Sequence, residues 1–300
     1  MMVKIQMLNN FVDPMLAFDY EKKHDKIKEL VVQPKLDGVR CIFNPHDPAQ
    51  ELQSRSGLTI EGTPHIVEQI KRLNLPFIVD GELYNHEFGF DKTSGIVRRK
   101  ANNISSEHKE VDYIIFDVVF IHRTFESRLD LLKNLHKIIN RHPETFNNIQ
   151  VLTSQTIKNT PSERKRMLDM LLSAGYEGAI YRNPNGIYEH KRSNHLLREK
   201  PFDRDVFQIV DIKEEVDKHK IAKGRAGALV CVDREGQFVT ASGIVDSLKD
   251  KLWANPSYYI GEFVLLKFQR RTKQSYRHPN FVRLLTEEDV KAYMYDKKEK

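Results

Sequence analysis

The sequence predicts an α+β domain followed by a small β-barrel, and three observations predict it. Up to about residue 203, β-prone runs mix with helical periodicity. After that point the chain reads as short strands and turns until a helical pattern near 287–295. Between the two stretches lies Pro201-Phe202-Asp203-Arg204, where the pattern changes. The expected domains are therefore residues 1–203 and 204–300, the second a barrel of about 95 residues.

The β-prone runs fall at 29–33, 39–43, 77–84, 112–121, 178–182, 206–213, 227–232, 237–242 and 262–269. Each is rich in Val, Ile, Phe or Tyr and bounded by turn residues. Helical spacing is strongest at 62–73, 126–140 and 161–174. Thr63-Pro64 and Thr160-Pro161 suit helix starts, with a capping residue before a proline at the first helical position. Asp37-Gly38, between the runs at 29–33 and 39–43, reads as the two-residue turn of a hairpin.

Composition narrows the class. The 300 residues are 40% hydrophobic and 30% charged, which describes a soluble globular chain. No apolar run approaches the roughly 20 residues that span a bilayer, and MMVKIQMLNNFVDP lacks the apolar core of a secretory signal. An intracellular protein without membrane contact is expected. Cys41 and Cys231 are the only cysteines, too few for a disulfide framework or a cysteine zinc site.

The net charge of +6 suggests a polyanionic partner, and its distribution says more than its total. From Phe263 to Thr286 no acidic residue occurs, while Lys267, Arg270, Arg271, Lys273, Arg277 and Arg283 do. Cations along a strand edge also guard against aggregation. Phe268 and Tyr276, interleaved with the charges, tip the reading towards nucleic acid.

Five further stretches concentrate chemistry. VVQPKLDGVRCIF sets Lys35, Asp37 and Arg40 around Gly38. FIVDGELYNH runs an apolar strand into Asp80 and Glu82, carboxylates that need a cation or metal if buried. YIIFDVVF holds Phe116 and Asp117 within an apolar run, and either could be core or loop support. YEGAIYRNP sets Glu177 before a β-prone run. In LLREKPF, Arg198 and Lys200 would share one face of a strand. Together they offer a lysine nucleophile, cations for phosphates, two carboxylates for a hard metal ion and an aromatic that can stack on a base. A lysine attacks only as the free amine, and neighbouring positive charges favour that form.

In order along the chain, KLDGVR, SRSG, DGELY, IIFD, EGAI and LREKPF resemble the motifs of ATP-dependent DNA ligases, within the covalent nucleotidyltransferases. GFDKTSGIVRR at 89–99 and YRHPNFVRL at 276–284 are similar to the compact bacteriophage and viral enzymes. The resemblance runs from Pro14-Met15-Leu16-Ala17 to Phe281. It implies an ATP-grasp-like adenylylation (nucleotidyltransferase) domain and a C-terminal OB-fold that binds DNA. It also implies sealing of nicks in duplex DNA, as in replication, repair and recombination, by a monomer in the cytoplasm, or the host cytoplasm for a viral protein.

By position, the resemblance makes Lys35 the residue that carries AMP. Arg40 and Arg55 match contacts to the nucleotide and the nick phosphate, Phe116 the ring stacked on adenine, and Gln33 a contact to the adenine edge. Glu82 and Glu177 match the metal-site carboxylates, Lys200 a lysine on the α-phosphate, and Arg198 a position usually held by lysine. ATP and Mg²⁺ are the implied cofactors, with Mn²⁺ able to substitute. Arg55, Lys267, Arg270, Arg271, Lys273 and Arg277 are the implied DNA contacts, the two domains closing on the nick as a clamp. An arginine expected near Leu284 or Leu285 is absent, and Arg283 lies beside that register.

Three other readings share parts of this pattern. An mRNA guanylyltransferase has the lysine motif and an OB-fold but uses GTP. An RNA ligase shares the first domain and usually lacks the second. A silent nucleic-acid-binding protein has no need of Lys35, Glu82, Glu177 and Lys200 together. A nicotinamide-dependent bacterial ligase would carry a Cys₄ zinc element that this sequence lacks.

Overall fold

The run Leu30–Val32 is too continuous for a strand with one wet face, and it is buried throughout. That burial organises the first of two units, Met1–Lys200 and Pro201–Lys300, in a computed structural model that describes residues 12–20, 27–271 and 275–296. The first unit begins with β1 (Leu16–Asp19), β2 (Glu29–Lys35), β3 (Val39–Phe43), β4 (Leu52–Ser54) and β5 (Thr59–Ile60). Next come α1 (Pro64–Arg72), β6 (Val79–Tyr84), α2 (Gly89–Val97), β7 (Asp112–Val118) and α3 (Phe125–Arg141). It ends with β8 (Ile149–Val151), β9 (Gln155–Lys158), α4 (Pro161–Ser173), β10 (Gly178–Arg182) and β11 (Arg192–Glu199).

These strands form two sheets, ordered β1-β11-β10-β2-β9 and β5-β4-β3-β6-β7-β8. The outer face of the first meets α4, where Met167 and Leu171 join Leu30, Val32, Tyr181 and Leu197 in one core. The outer face of the second meets α1 and α3 through Ile66, Ile70, Leu132, Leu135 and Ile139. Each such side chain contributes roughly 1.5–3 kcal/mol on burial. The helix starts follow the expected chemistry: Pro64 and Pro161 each open a helix, and the Thr160 hydroxyl accepts from the Glu163 N–H at 3.3 Å.

The hairpin expected at Asp37-Gly38 is not there. β2 pairs with β10 and β9, whereas β3 pairs with β4 and β6, so the chain crosses from one sheet to the other at residues 36–38. Gly38 serves that crossing through size, since a Cβ there would lie 2.3 Å from the Leu83 carbonyl oxygen. Gly178 does the same on the facing side, where a Cβ would lie 2.2 Å from the Glu199 carbonyl oxygen. Helix α2 is a further difference: the stretch GFDKTSGIV is helical although two glycines and Thr weaken its propensity. Burial of Thr93, Ser94, Ile96 and Val97 outweighs that cost.

The second unit holds β12 (Asp203–Val216), β13 (Ala222–Val232), β14 (Phe238–Ala241), α5 (Asp246–Ala254), α6 (Pro256–Tyr259) and β15 (Phe263–Phe268). It continues with β16 (Arg270–Arg271), β17 (Tyr276–Arg277), β18 (Asn280–Leu284) and α7 (Glu287–Asp296). Five strands make an open antiparallel sheet ordered β14-β13-β12-β15-β18, and a lone parallel bridge joins Ser242 to Asn280. Helix α5 corrects the expectation that only strands precede residue 287: Leu252 is buried in the core, and Leu248 and Trp253 pack against it. Phe268 and Tyr276 are also core here, packed on Phe207 with ring centroids 6.0 and 5.0 Å away. Their interleaving with cations therefore reflects strand alternation, not a stacking platform.

Both cysteines are buried and free. No helix among the described residues is long and apolar enough to cross a membrane.

Candidate active site

Strand registry brings the singled-out residues of the first unit together. Gln33 opposes Ile180, which in turn opposes Arg198, and Lys35 opposes Gly178. Cross-strand partners share a face, so Gln33, Lys35, Ile180, Arg182 and Arg198 all project from the inner face of the first sheet. On the second sheet Arg40 opposes Glu82, and Glu82 opposes Ile114. The two inner faces enclose a cavity of about 220 Å³ lined by Gln33, Lys35, Arg40, Arg55, Glu82, Phe116, Ile180, Arg182 and Arg198, among others. A second hollow of about 960 Å³ shares Arg40, Arg55 and Glu82 with it and continues to Arg98, Arg99 and Lys100.

Lys35 ends β2, and its Nζ donates to Glu177 Oε2. The backbone supports that contact, because the Glu177 N–H donates to the Lys35 carbonyl at 3.1 Å. The other oxygen of Glu177 lies 3.6 Å from Lys200 Nζ. Lys200 is held below the ordinary lysine value by burial first and then by Lys35 and Arg198, against the pull of Glu177. Arg198, the arginine where a lysine was expected, donates from Nε to Asp19 Oδ1 at 2.6 Å.

Arg40 is bound twice to Asp80, at 2.6 and 2.5 Å, and the Tyr188 hydroxyl donates to the same carboxylate at 2.7 Å. Burial disfavours the guanidinium charge, but Asp80 outweighs it and raises Arg40 above its usual value. The Arg40 guanidinium stands 4.8 Å from the centre of the Phe116 ring. Glu82 shares the strand with Asp80 and lacks such a clamp. Burial pushes it up to about 7, against the opposing charges of Arg40 and Lys35.

The donor set bears on any metal ion. Among the described residues no group of three or more His, Cys, Asp and Glu is arranged to hold one. Glu82 and Glu177 alone fit a magnesium site only of the kind completed by substrate phosphates and water.

In the second unit the expected DNA contacts differ among themselves. Arg271 is bidentate to Glu235 at 2.8 and 2.6 Å and reaches Asp233 at 3.0 Å. Arg283 is bidentate to Asp289 at 2.7 and 2.8 Å. Lys267 lies 5.2 Å from the ring of Phe202, and Arg277 pairs through its backbone with Arg270. Lys273 lies outside the described residues.

Arg182, Asp117 and Asp80 complete the cavity's support and were not assigned from the sequence. The signal was present: an arginine closing the apolar strand GAIYR, and carboxylates inside apolar strands, must find partners if buried.

Two open sheets with a nucleotide-sized, cation-lined cavity between them define a nucleotidyltransferase domain of the ligase type. The family model for the ATP dependent DNA ligase domain matches residues 14–200. A DNA ligase from Haemophilus influenzae is 27% identical over 235 residues, covering 77% of this chain and 78% of that protein. One from African swine fever virus is 30% identical over 194 residues, covering 60% of this chain and 44% of that protein. A solved Lig E DNA ligase superposes with a TM-score of 0.75 at 24% identity, over 92% of this chain and 100% of that one. The bacteriophage T7 ligase in complex with ATP gives 0.52 at 20% identity, over 91% and 98%. The solved structures share the fold. The chain belongs to the ATP-dependent DNA ligase family.

Proposed function

We propose that this chain seals nicks in duplex DNA at the expense of ATP, with Lys35 as the residue that carries AMP. The observation that carries the reading is Lys35 at the mouth of a cation-lined cavity, in contact with Glu177 and one strand from Arg40 and Glu82. The free amine of Lys35 attacks the α-phosphorus, an N–P bond forms, and the bond to the pyrophosphate oxygen breaks. Glu177 gives the departing lysine proton an acceptor within reach. AMP then passes to the 5′-phosphate at the nick, and the 3′-hydroxyl attacks and expels it.

Arg40, Arg55, Arg198 and Lys200 hold the phosphates through charge-assisted bonds, while Phe116 and Ile180 supply apolar surface for the base. Glu82, with Glu177 beside it, would hold Mg²⁺ or Mn²⁺ together with substrate phosphates. Such an ion, when bound, offsets charge that develops on the transferring phosphoryl group.

Residues 1–203 serve as the adenylylation domain and 204–300 as a DNA-binding OB-fold. The strand order β14-β13-β12-β15-β18, the helix between the third and fourth of these strands in sequence, and the bridge from Ser242 to Asn280 support that fold. Arg55, Lys267, Arg270, Lys273 and Arg277 contact the duplex backbone, and the protein acts as a monomer in the cytoplasm.

Incubation with labelled ATP or GTP, followed by denaturing electrophoresis, tests the nucleophile. Label from ATP is expected on the unmodified protein, and none on Lys35→Ala or Lys35→Arg with unchanged circular dichroism. Persistent labelling of Lys35→Ala would move the nucleophile elsewhere. Labelling by GTP alone would make the chain a guanylyltransferase. Sealing of a nicked DNA duplex by the unmodified protein completes the test.

A further inference from the structure

Beneath the cavity lies a buried polar network that phosphate chemistry does not need. Gln33 is 1% exposed, yet it lines the cavity. Its amide has two N–H donors and an oxygen with two lone pairs. Nε2 donates to the Phe116 carbonyl at 3.2 Å and faces Ser154 Oγ at 3.1 Å. Oε1 accepts from Arg182 Nε at 2.7 Å. Exchanging the amide oxygen and nitrogen would set N–H against N–H at Arg182 and oxygen against oxygen at Phe116, so the neighbours dictate the orientation.

Arg182, 3% exposed, is held in turn. Its Nη1 donates to Asp117 Oδ2 at 2.5 Å. Asp117 also takes Arg128 Nε at 2.7 Å, Arg128 Nη2 at 3.1 Å and the Val118 N–H at 2.8 Å. Burial would raise the Asp117 carboxyl, but Arg182 and Arg128 outweigh it and keep it below its ordinary value. Arg128 Nη1 is bound to the carbonyls of Arg123 and Gly186 at 2.8 and 3.2 Å. The amide of Gln33 therefore spends both donors inside the protein and keeps one lone pair of Oε1.

We infer that Gln33 offers the cavity only a hydrogen-bond acceptor, fixed by the positioning residues Arg182, Asp117 and Arg128, and that this selects a purine with an exocyclic 6-amine over a 6-oxo purine. The inference rests on the cavity being the nucleotide site and deepens that reading. A 6-amino group donates to Oε1, whereas a 6-oxo group meets it oxygen to oxygen, with desolvation uncompensated on both sides. Charge neutralisation alone does not require this arrangement, since Arg128 by itself would balance Asp117.

Equilibrium affinities of the intact protein for ATP, purine riboside triphosphate and inosine triphosphate, without divalent metal, test the selection independently of covalent chemistry. Loss of the amine should weaken binding on the order of 10-fold, and its replacement by an oxo group on the order of 100-fold. Arg182→Lys keeps a cation beside Asp117 but loses the rigid fork that aims at Gln33. The ratio of ATP to inosine triphosphate affinity should fall to within about threefold there, and Ser154→Ala, which releases one Gln33 donor, should reduce it less. Inosine triphosphate binding as tightly as ATP would overturn the inference, because Arg182 itself would then be facing the base. So would an unchanged ratio in both variants. Failure of the ligase reading would appear separately, as discrimination in binding without any covalent adduct from ATP.

Discussion

In the first unit the Asp117 carboxylate meets Arg182 and Arg128, and all three side chains are at most 3% exposed. In the second unit the Glu215 carboxylate meets Lys223, Arg225 and Lys249 at 2.7, 3.0 and 2.9 Å, with Lys223 41% exposed. The charge chemistry is the same, and the surroundings are not. Around Asp117 no water competes, so each donor must find its acceptor within the protein, and geometry is dictated. Around Glu215 the bonds from Lys223, Lys249 and Arg225 hold the carboxyl down at about 2, yet solvent and salt can replace each of them. The buried network can therefore specify a ligand, and the surface network ties β12, β13 and α5 together without specifying anything.

The sharpest break of that comparison is Asp117→Asn, which leaves two guanidinium groups buried without their anion. It should cost about 3–5 kcal/mol in unfolding free energy, read by urea denaturation. Glu215→Gln in parallel should scarcely move the midpoint, and less still at high salt. Equal losses would mean that burial is not what separates the networks.

An intermediate effect concerns Glu82, buried beside cations but without a clamp. Its folded value near 7 stands above the ordinary glutamate value, so the folded state holds the proton more tightly than the unfolded chain. Stability should therefore fall as pH rises from the ordinary glutamate value to about 7 and level off above it. Lys35 labelling without that proton should rise over the upper part of the same range. Glu82→Gln should flatten the stability profile in calorimetry, and a profile that stays unchanged would remove Glu82 as its source.

The smallest effect separates paired from unpaired surface cations. Lys267→Ala should reduce the log–log salt slope of nicked-DNA binding by roughly 0.9 if it contacts one phosphate. Arg271→Ala should change the slope less, because Asp233 and Glu235 already occupy that guanidinium. Equal slopes for both variants would show that these ion pairs open when DNA binds.

Local chemistry made much of the first unit legible. Pro64 and Pro161 open their helices as their flanking residues indicate, and the strands at 29–35, 39–43 and 79–84 fall where β-branched residues cluster. Helices α2 and α5 were not legible, because glycines weaken one pattern and the other follows a strand-rich stretch with no N-cap hydrogen bond from Val245. Phe268 and Tyr276 show the converse error. Period-2 alternation puts core aromatics next to surface cations, which in sequence looks like a binding platform.

The sequence by itself determined which residue types the site contains. Lys35, Arg40, Glu82, Phe116, Glu177 and Lys200 stand in an order and spacing that no folded contact was needed to notice. Only the tertiary structure decided how they meet. Asp37-Gly38 could have closed a hairpin, and instead the crossing there sends β2 and β3 into different sheets, because each strand finds its hydrogen-bond partners far away in sequence. That choice opens the cavity between the two sheets. It also places Arg182 and Asp117, 65 residues apart, within one hydrogen bond under Gln33. Spacing reads neighbours along a strand or helix, whereas the cost of burying a charge is settled by whatever the whole fold brings beside it.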